Sequence, residues 1–179
     1  MRVIFAALVA IAALVLGGGP TRAVSGAATL SRTVSTALLV DCSSITSTGR
    51  EYARLHGITL CGADRTPASE PLRTETVGGE ECGNATLTMV SRGGGVASMT
   101  WRVQSFTGPV VDLDLDVSAA GRSESVVRGF ADSSASLHPR GATAAFLGVG
   151  RASATISGTV QTFLATCRIA PAGVRIHVR

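Results

Sequence analysis

Between Cys82 and Val117 the chain reads CGNATLTMVSRGGGVASMTWRVQSFTGPVVDLDLDV, three runs of alternating apolar and polar residues separated by Gly93-Gly94-Gly95 and by Gly108-Pro109. Alternation at period two places apolar side chains on one face of a strand and polar ones on the other. Ala85, Leu87 and Met89 form the first apolar row. Ala97, Met99, Trp101 and Val103 form the second, and Val111, Leu113, Leu115 and Val117 the third. The triple glycine supplies the positive φ angles that a tight hairpin needs. A chain built this way has few choices other than an antiparallel sheet with one buried face.

The pattern continues to the C-terminus. Ser123–Ala131 reads as a weaker strand, residues 132–141 as a polar loop containing His138-Pro139, and Thr143–Val149 as another strand. Ser153–Ile169 reads as a single long strand bent near Gly158, and Val174, Ile176 and Val178 close the chain in alternation. Seven or so short strands with regular turns predict an all-β fold, an antiparallel β-sandwich. Its size, and the spacing of Cys82, Trp101 and Cys167, resemble those of immunoglobulin-like domains. That family pairs two mid-strand cysteines, whereas Cys82 stands at the domain edge, so the expectation is a sandwich of that size and not membership of the family.

Upstream the composition changes. Met1-Arg2 is followed by an uncharged apolar run to Leu16, a Gly-Gly-Gly-Pro break, and Thr21-Arg22-Ala23 with small residues at the cleavage positions. This predicts a signal peptide over residues 1–23 and a secreted, extracellular product with no membrane span in the mature chain. Residues 24–61 read as a small N-terminal segment carrying a short helix. Thr48-Gly49-Arg50-Glu51 fits a capping box, Gly57 a C-cap, and Tyr52 and Leu55 share a face. Residues 62–81 are polar and proline-containing and read as a flexible linker, leaving residues 82–179 for the β-domain.

Four cysteines in an exported chain predict two disulfides. Pairing Cys42 with Cys61 and Cys82 with Cys167 keeps each cross-link within one segment. By the loop-length relation the first contributes about 3 kcal/mol and the second about 4–5 kcal/mol.

The charge balance limits the partners. The formal charge is +4, and all sixteen basic residues are arginine. Loss of Arg2 and Arg22 with the leader leaves fourteen arginines against twelve acids, too slight an excess for a nucleic-acid partner. The absence of lysine, with abundant Ala, Gly and Val, points to a GC-rich bacterial genome.

The sharpest chemical motif is Asp112-Leu113-Asp114-Leu115-Asp116. On a strand its carboxylates project from one face with Cα atoms about 6.6–6.8 Å apart. Calcium takes six to eight oxygens, and oxygens sharing one ion lie within about 5 Å of one another, so the outer two aspartates do not converge. A solvated face, offset by cross-strand arginines such as Arg102 or Arg128, is the expected role, with calcium the alternative. Mutual repulsion across each gap costs only about 0.6 kcal/mol in water. His56, His138 and His177 fall in unrelated contexts, and neither G-x-S-x-G nor H-E-x-x-H occurs. Trp101 shares the parity of Met99 and Val103 and is expected in the core.

No catalytic residue and no cofactor follow from these motifs. The expected function is a secreted, non-catalytic interaction or cell-envelope-associated protein whose partner is an unidentified protein or envelope component. A secreted hydrolase is the alternative, and would need a histidine beside an acid and a nucleophile. A protease inhibitor, using the loop after Cys61, is a third reading.

Overall fold

The computed structural model describes residues 30–57 and 82–179. The predicted signal peptide, the linker over residues 62–81 and the Cys61 end of the Cys42–Cys61 pair lie outside the described residues. The fold is antiparallel β, with nine strands and one α-helix among the described residues. In chain order these are β1 (Ser31–Val40), α1 (Ser47–His56), β2 (Gly83–Gly93), β3 (Val96–Ser105) and β4 (Val110–Ala120). There follow β5 (Ser125–Asp132), β6 (Arg140–Phe146), β7 (Gly150–Thr162), β8 (Thr166–Ile169) and β9 (Ala172–Val178).

The strands form one sheet in the order β5-β4-β7-β8-β1-β2-β3-β6, with β9 paired to β7 beside β8. The sheet curls on itself into a nearly closed barrel, in place of the two separate layers that the sandwich expectation implies. The strand responsible is β1. Its residues 31–37 pair with β2, and its residues 38–40 pair with β8. One strand thereby belongs to both halves. In the sequence this strand is hard to see, because β1 alternates weakly and carries Arg32 and Thr36 in its inward row.

Alternation becomes core as the pattern requires. Leu87, Met89, Met99, Val103, Leu115, Ile156 and Val160 are fully buried, and Trp101 is nearly so. The β2–β3 hairpin turns at Gly93, Gly94 and Gly95, whose φ angles are 87°, 60° and 79°. A register shift between Val110 and Asp112 changes which residue of the third run begins the inward row. Val110 is buried and Val111, expected to point inward, is exposed.

The long run Ser153–Ile169 is two strands, β7 and β8, and not one. Phe163-Leu164-Ala165 turns the chain without glycine or proline. The Thr162 hydroxyl accepts from the backbone N–H groups of Leu164 and Ala165 and donates to the Ala165 carbonyl at 3.0 Å. A threonine hydroxyl can hold a turn in this way, and leaves no strong sequence mark. Thr107 Oγ1 lies 3.2 Å from Thr162 Oγ1, so the β3–β4 loop is joined to the same turn.

Helix α1 docks on that turn. Its N-cap is Thr46, which accepts from the Gly49 N–H at 2.8 Å; the capping box predicted at Thr48 does not form. Glu51 instead pairs with Arg54, one turn on. Thr46 Oγ1 also donates to the Leu164 carbonyl, which selects the earlier cap. The buried face holds Gly49 and Ala53, while Tyr52 and Leu55 are exposed. A Cβ at position 49 would lie 2.3 Å from the Leu164 oxygen, so only glycine permits this approach. Gly57 closes the helix in the left-handed conformation, as expected.

Cys82 and Cys167 form a disulfide with Cα atoms 6.4 Å apart, and both residues are fully buried. The bridge ties the start of β2 to β8, across the stretch where β1 changes partners.

Candidate functional site

Asp112, Asp114 and Asp116 are exposed on the outer face of β4. Their partners on β7 are Gln161, Thr159 and Ser157, and on β5 Asp114 and Asp116 face Ala131 and Gly129. The arginines expected to offset them are elsewhere. Arg128 pairs with the buried Val117, and Arg102 lies on β3 opposite Arg140. Register explains Arg128, since a one-residue offset moves a side chain to the other face, and strand order explains Arg102, because β3 lies between β2 and β6 and not beside β4. Among the described residues no group of three His, Cys, Asp or Glu is assembled that could hold a metal ion.

The histidines are dispersed. The His56 ring lies 4.1 Å from that of Tyr52 on α1. His138 donates its backbone N–H to the Ser136 hydroxyl, and His177 pairs with Arg151 across β7 and β9. No imidazole hydrogen-bonds to a serine or a carboxylate among the described residues. Trp101 is in the core, edge-on to Phe130 at 5.3 Å, and its Nε1 has no hydrogen-bond partner.

Two carboxylates are held below the ordinary aspartate range. A hydrogen bond from the Ser43 hydroxyl lowers Asp41, with help from the Ser43 N–H and the Arg168 guanidinium 3.5 Å away. The Ser134 hydroxyl and N–H lower Asp132. Both arrangements are local turns, in which an aspartate accepts from the residue two positions on.

The feature that brings distant residues together is a groove between β1 and β9. After the break at Ala170-Pro171, β9 continues along β7, while β1 diverges to pair with β2. The edge of β1 over residues 31–36 and the edge of β9 facing it carry no strand partner among the described residues. Two contiguous cavities occupy the space, of about 680 and 690 Å³. Both are lined by Arg32 and Arg175, and the first also by Arg151 and His177. Among the described residues, no aspartate or glutamate lines either cavity. None of the three arginines forms an ion pair among the described residues. Leu30, Ile176 and Val174 supply an apolar floor.

Sequence reasoning did not find this groove. The only available signal was Arg32 at an inward-parity position of β1, and it is readable only once β1 is known to be a strand. No protein-family model matches the chain, and no curated protein or solved structure matches it either.

Proposed function

We propose that this is a secreted, non-catalytic interaction protein of bacterial origin that engages a protein or an envelope component through the groove between β1 and β9. Its frame is best described as a sandwich-like barrel, immunoglobulin-like in size, with the helical segment packed on one end. The observation that carries the reading is the groove itself, where Arg32, Arg151, Arg175 and His177 line two neighbouring cavities with no ion pair and no aspartate or glutamate beside them among the described residues. Cationic side chains left without partners on a rigid frame are suited to capture an anionic surface by complementarity. The buried disulfide and the apolar leader support an extracellular setting, because such bonds persist in oxidising compartments.

The test uses the full oxidised protein against washed envelopes and culture supernatant from the producing cells. Capture that falls with added salt, and is lost when Arg32 and Arg175 are both changed to Glu, supports the reading. Capture unaffected by the double change removes the groove from the function. Turnover of hydrolase substrates by the purified protein returns the assignment to an enzyme.

A further inference from the structure

We infer that the outer face of strands β2, β3 and β6 holds a site for a phosphate monoester on a small hydroxylated body, clamped between Arg102 and Arg140. The two arginines are directly opposite each other across β3 and β6, and both are exposed. They line a cavity of about 550 Å³ together with Thr86, Thr88, Thr100 and Ala142. None of these residues lines the groove between β1 and β9, so the two sites are separate.

Residues directly opposite on an antiparallel pair have Cβ atoms about 4.5–5.5 Å apart, and like charges placed there repel. Among the described residues no aspartate or glutamate lines this cavity, and neither arginine forms an ion pair. An anion held by both side chains relieves the repulsion. A phosphate monoester carries about −1.5 to −2 charges at pH 7, enough to match two guanidiniums, and three oxygens that accept from them. Each guanidinium can donate two parallel N–H groups to such an oxyanion. A carboxylate or a sulfate ester supplies a single charge and leaves the second arginine unmatched.

The neighbouring side chains define the rest of the ligand. Thr86 is the partner of Arg102 on β2, and Thr88, Thr100 and Ala142 form the next row across the three strands. That row stands about 6.6–6.8 Å along the strands from the arginines, which leaves room for one small ring beside the phosphate. Its side chains are neutral and offer methyl groups and hydroxyls. Thr86 Oγ1 donates to the Arg102 carbonyl at 3.3 Å, so its lone pairs are left to accept from a ligand hydroxyl. Trp101 and Gly141, the pair between the two rows, also line the cavity. Inorganic phosphate matches the charge but makes no use of the threonine row.

The experiment measures equilibrium dialysis of radiolabelled glucose 6-phosphate against the full oxidised protein, with glucose 6-sulfate, glucose and inorganic phosphate as competitors. Glucose 6-phosphate is expected to bind, and each competitor to displace it at least tenfold more weakly. Fluorescence of Trp101, the only tryptophan in the chain, is expected to change with occupancy, because the residue lines the cavity. Arg102→Ala and Arg140→Ala are each expected to weaken binding about tenfold, the effect of losing a charged hydrogen-bond partner. Arg102→Lys is expected to weaken it at unchanged formal charge, since an ammonium lacks the guanidinium fork. Near-ultraviolet circular dichroism checks that each variant is folded, and the lysine variant tests the site if an alanine variant is not. Changing both Arg32 and Arg175 to Glu, which disables the groove, is expected to leave glucose 6-phosphate binding intact. Absence of binding at millimolar ligand, or equal affinity for glucose 6-sulfate, overturns the site. Binding that persists without Arg102 and Arg140, or is lost with the groove, overturns it as well. Inorganic phosphate competing as well as the ester overturns the hydroxylated body.

Discussion

Trp101 and Gly141 face each other across β3 and β6, and the indole occupies the space that a side chain at position 141 would need. A Cβ there would lie 2.6 Å from Cε2 and Cζ2 and 2.7 Å from Nε1. Phe130 bounds the ring on the β5 side. The pair therefore packs the region between the two ends of the sheet, where β5 and β6 do not hydrogen-bond to each other.

Gly141→Ala is expected to destabilise the fold by about 1–3 kcal/mol through overpacking. Trp101→Phe is expected to cost little beyond its lost volume, because Nε1 has no partner to forfeit. In the double variant the smaller ring should accept the methyl group and recover part of the loss. Urea unfolding of all four proteins as a double-mutant cycle checks this; strict additivity would show that the two residues are not coupled.

Removing the Cys82–Cys167 bridge, which spans 85 residues of sequence, is expected to cost about 4–5 kcal/mol by the loop-length relation. The bridge fastens β8 to the start of β2, while β1 pairs with both strands. The double substitution Cys82→Ala/Cys167→Ala should thus lower the urea midpoint strongly. Loosening should concentrate at β1 and β8, read by amide hydrogen exchange. Uniform loss of protection across all strands would place the effect in the unfolded chain alone.

Gly49→Ala sets two effects against each other. Alanine favours an exposed helix interior by about 1 kcal/mol over glycine. At this position the added Cβ would lie 2.3 Å from the Leu164 backbone oxygen, which cannot rotate away. The steric term is expected to win, undocking α1 and raising exchange at residues 47–56 while the strands stay protected. An unchanged or higher melting temperature would mean that α1 is free to shift on the turn.

Asp41 gives a pH dependence with a definite sign. Its folded-state value lies below the ordinary 3.8, through the Ser43 hydroxyl first and the Arg168 guanidinium among the smaller causes. A depressed carboxyl contributes stability that is fully present above its unfolded value and is lost as pH falls through the folded one. Wild type should therefore melt above Asp41→Asn at pH 7, and the difference should shrink below pH 3.8. Thermal melts of both proteins at pH 7 and across the acid range check this. A difference that stays constant into acid would assign the effect to the hydrogen bonds of the turn and not to charge.

How much was legible differs from element to element. β2, β3 and the inward row of β4 were readable because each is a clean alternation bounded by glycine or proline. The turn at Phe163–Ala165 was not, since one buried threonine holds it and its apolar residues read as more strand. The helix was found, but its buried face was misjudged. Tyr52 and Leu55 carry the larger apolar surface, yet Gly49 and Ala53 pack because the turn carbonyl approaches so closely. The aspartate face was read correctly as an exposed row, whereas its expected arginine neighbours depended on a register that no local pattern contains.

The sequence by itself determined an antiparallel β-protein, its inward rows, its glycine hairpin and its set of cysteines, since each of these is written in neighbouring residues. Only the tertiary structure decided where β1 runs, and with it the groove. Arg32 pairs with the fully buried Met89 and so belongs to the inward row of its strand, yet it is exposed because β9 has turned away along β7. A period-two pattern tells a strand which face is apolar. It does not tell the strand which partner lies at its edge; among the described residues no strand pairs with residues 31–37 of β1 on that side, and Arg32 of its inward row comes to line the groove.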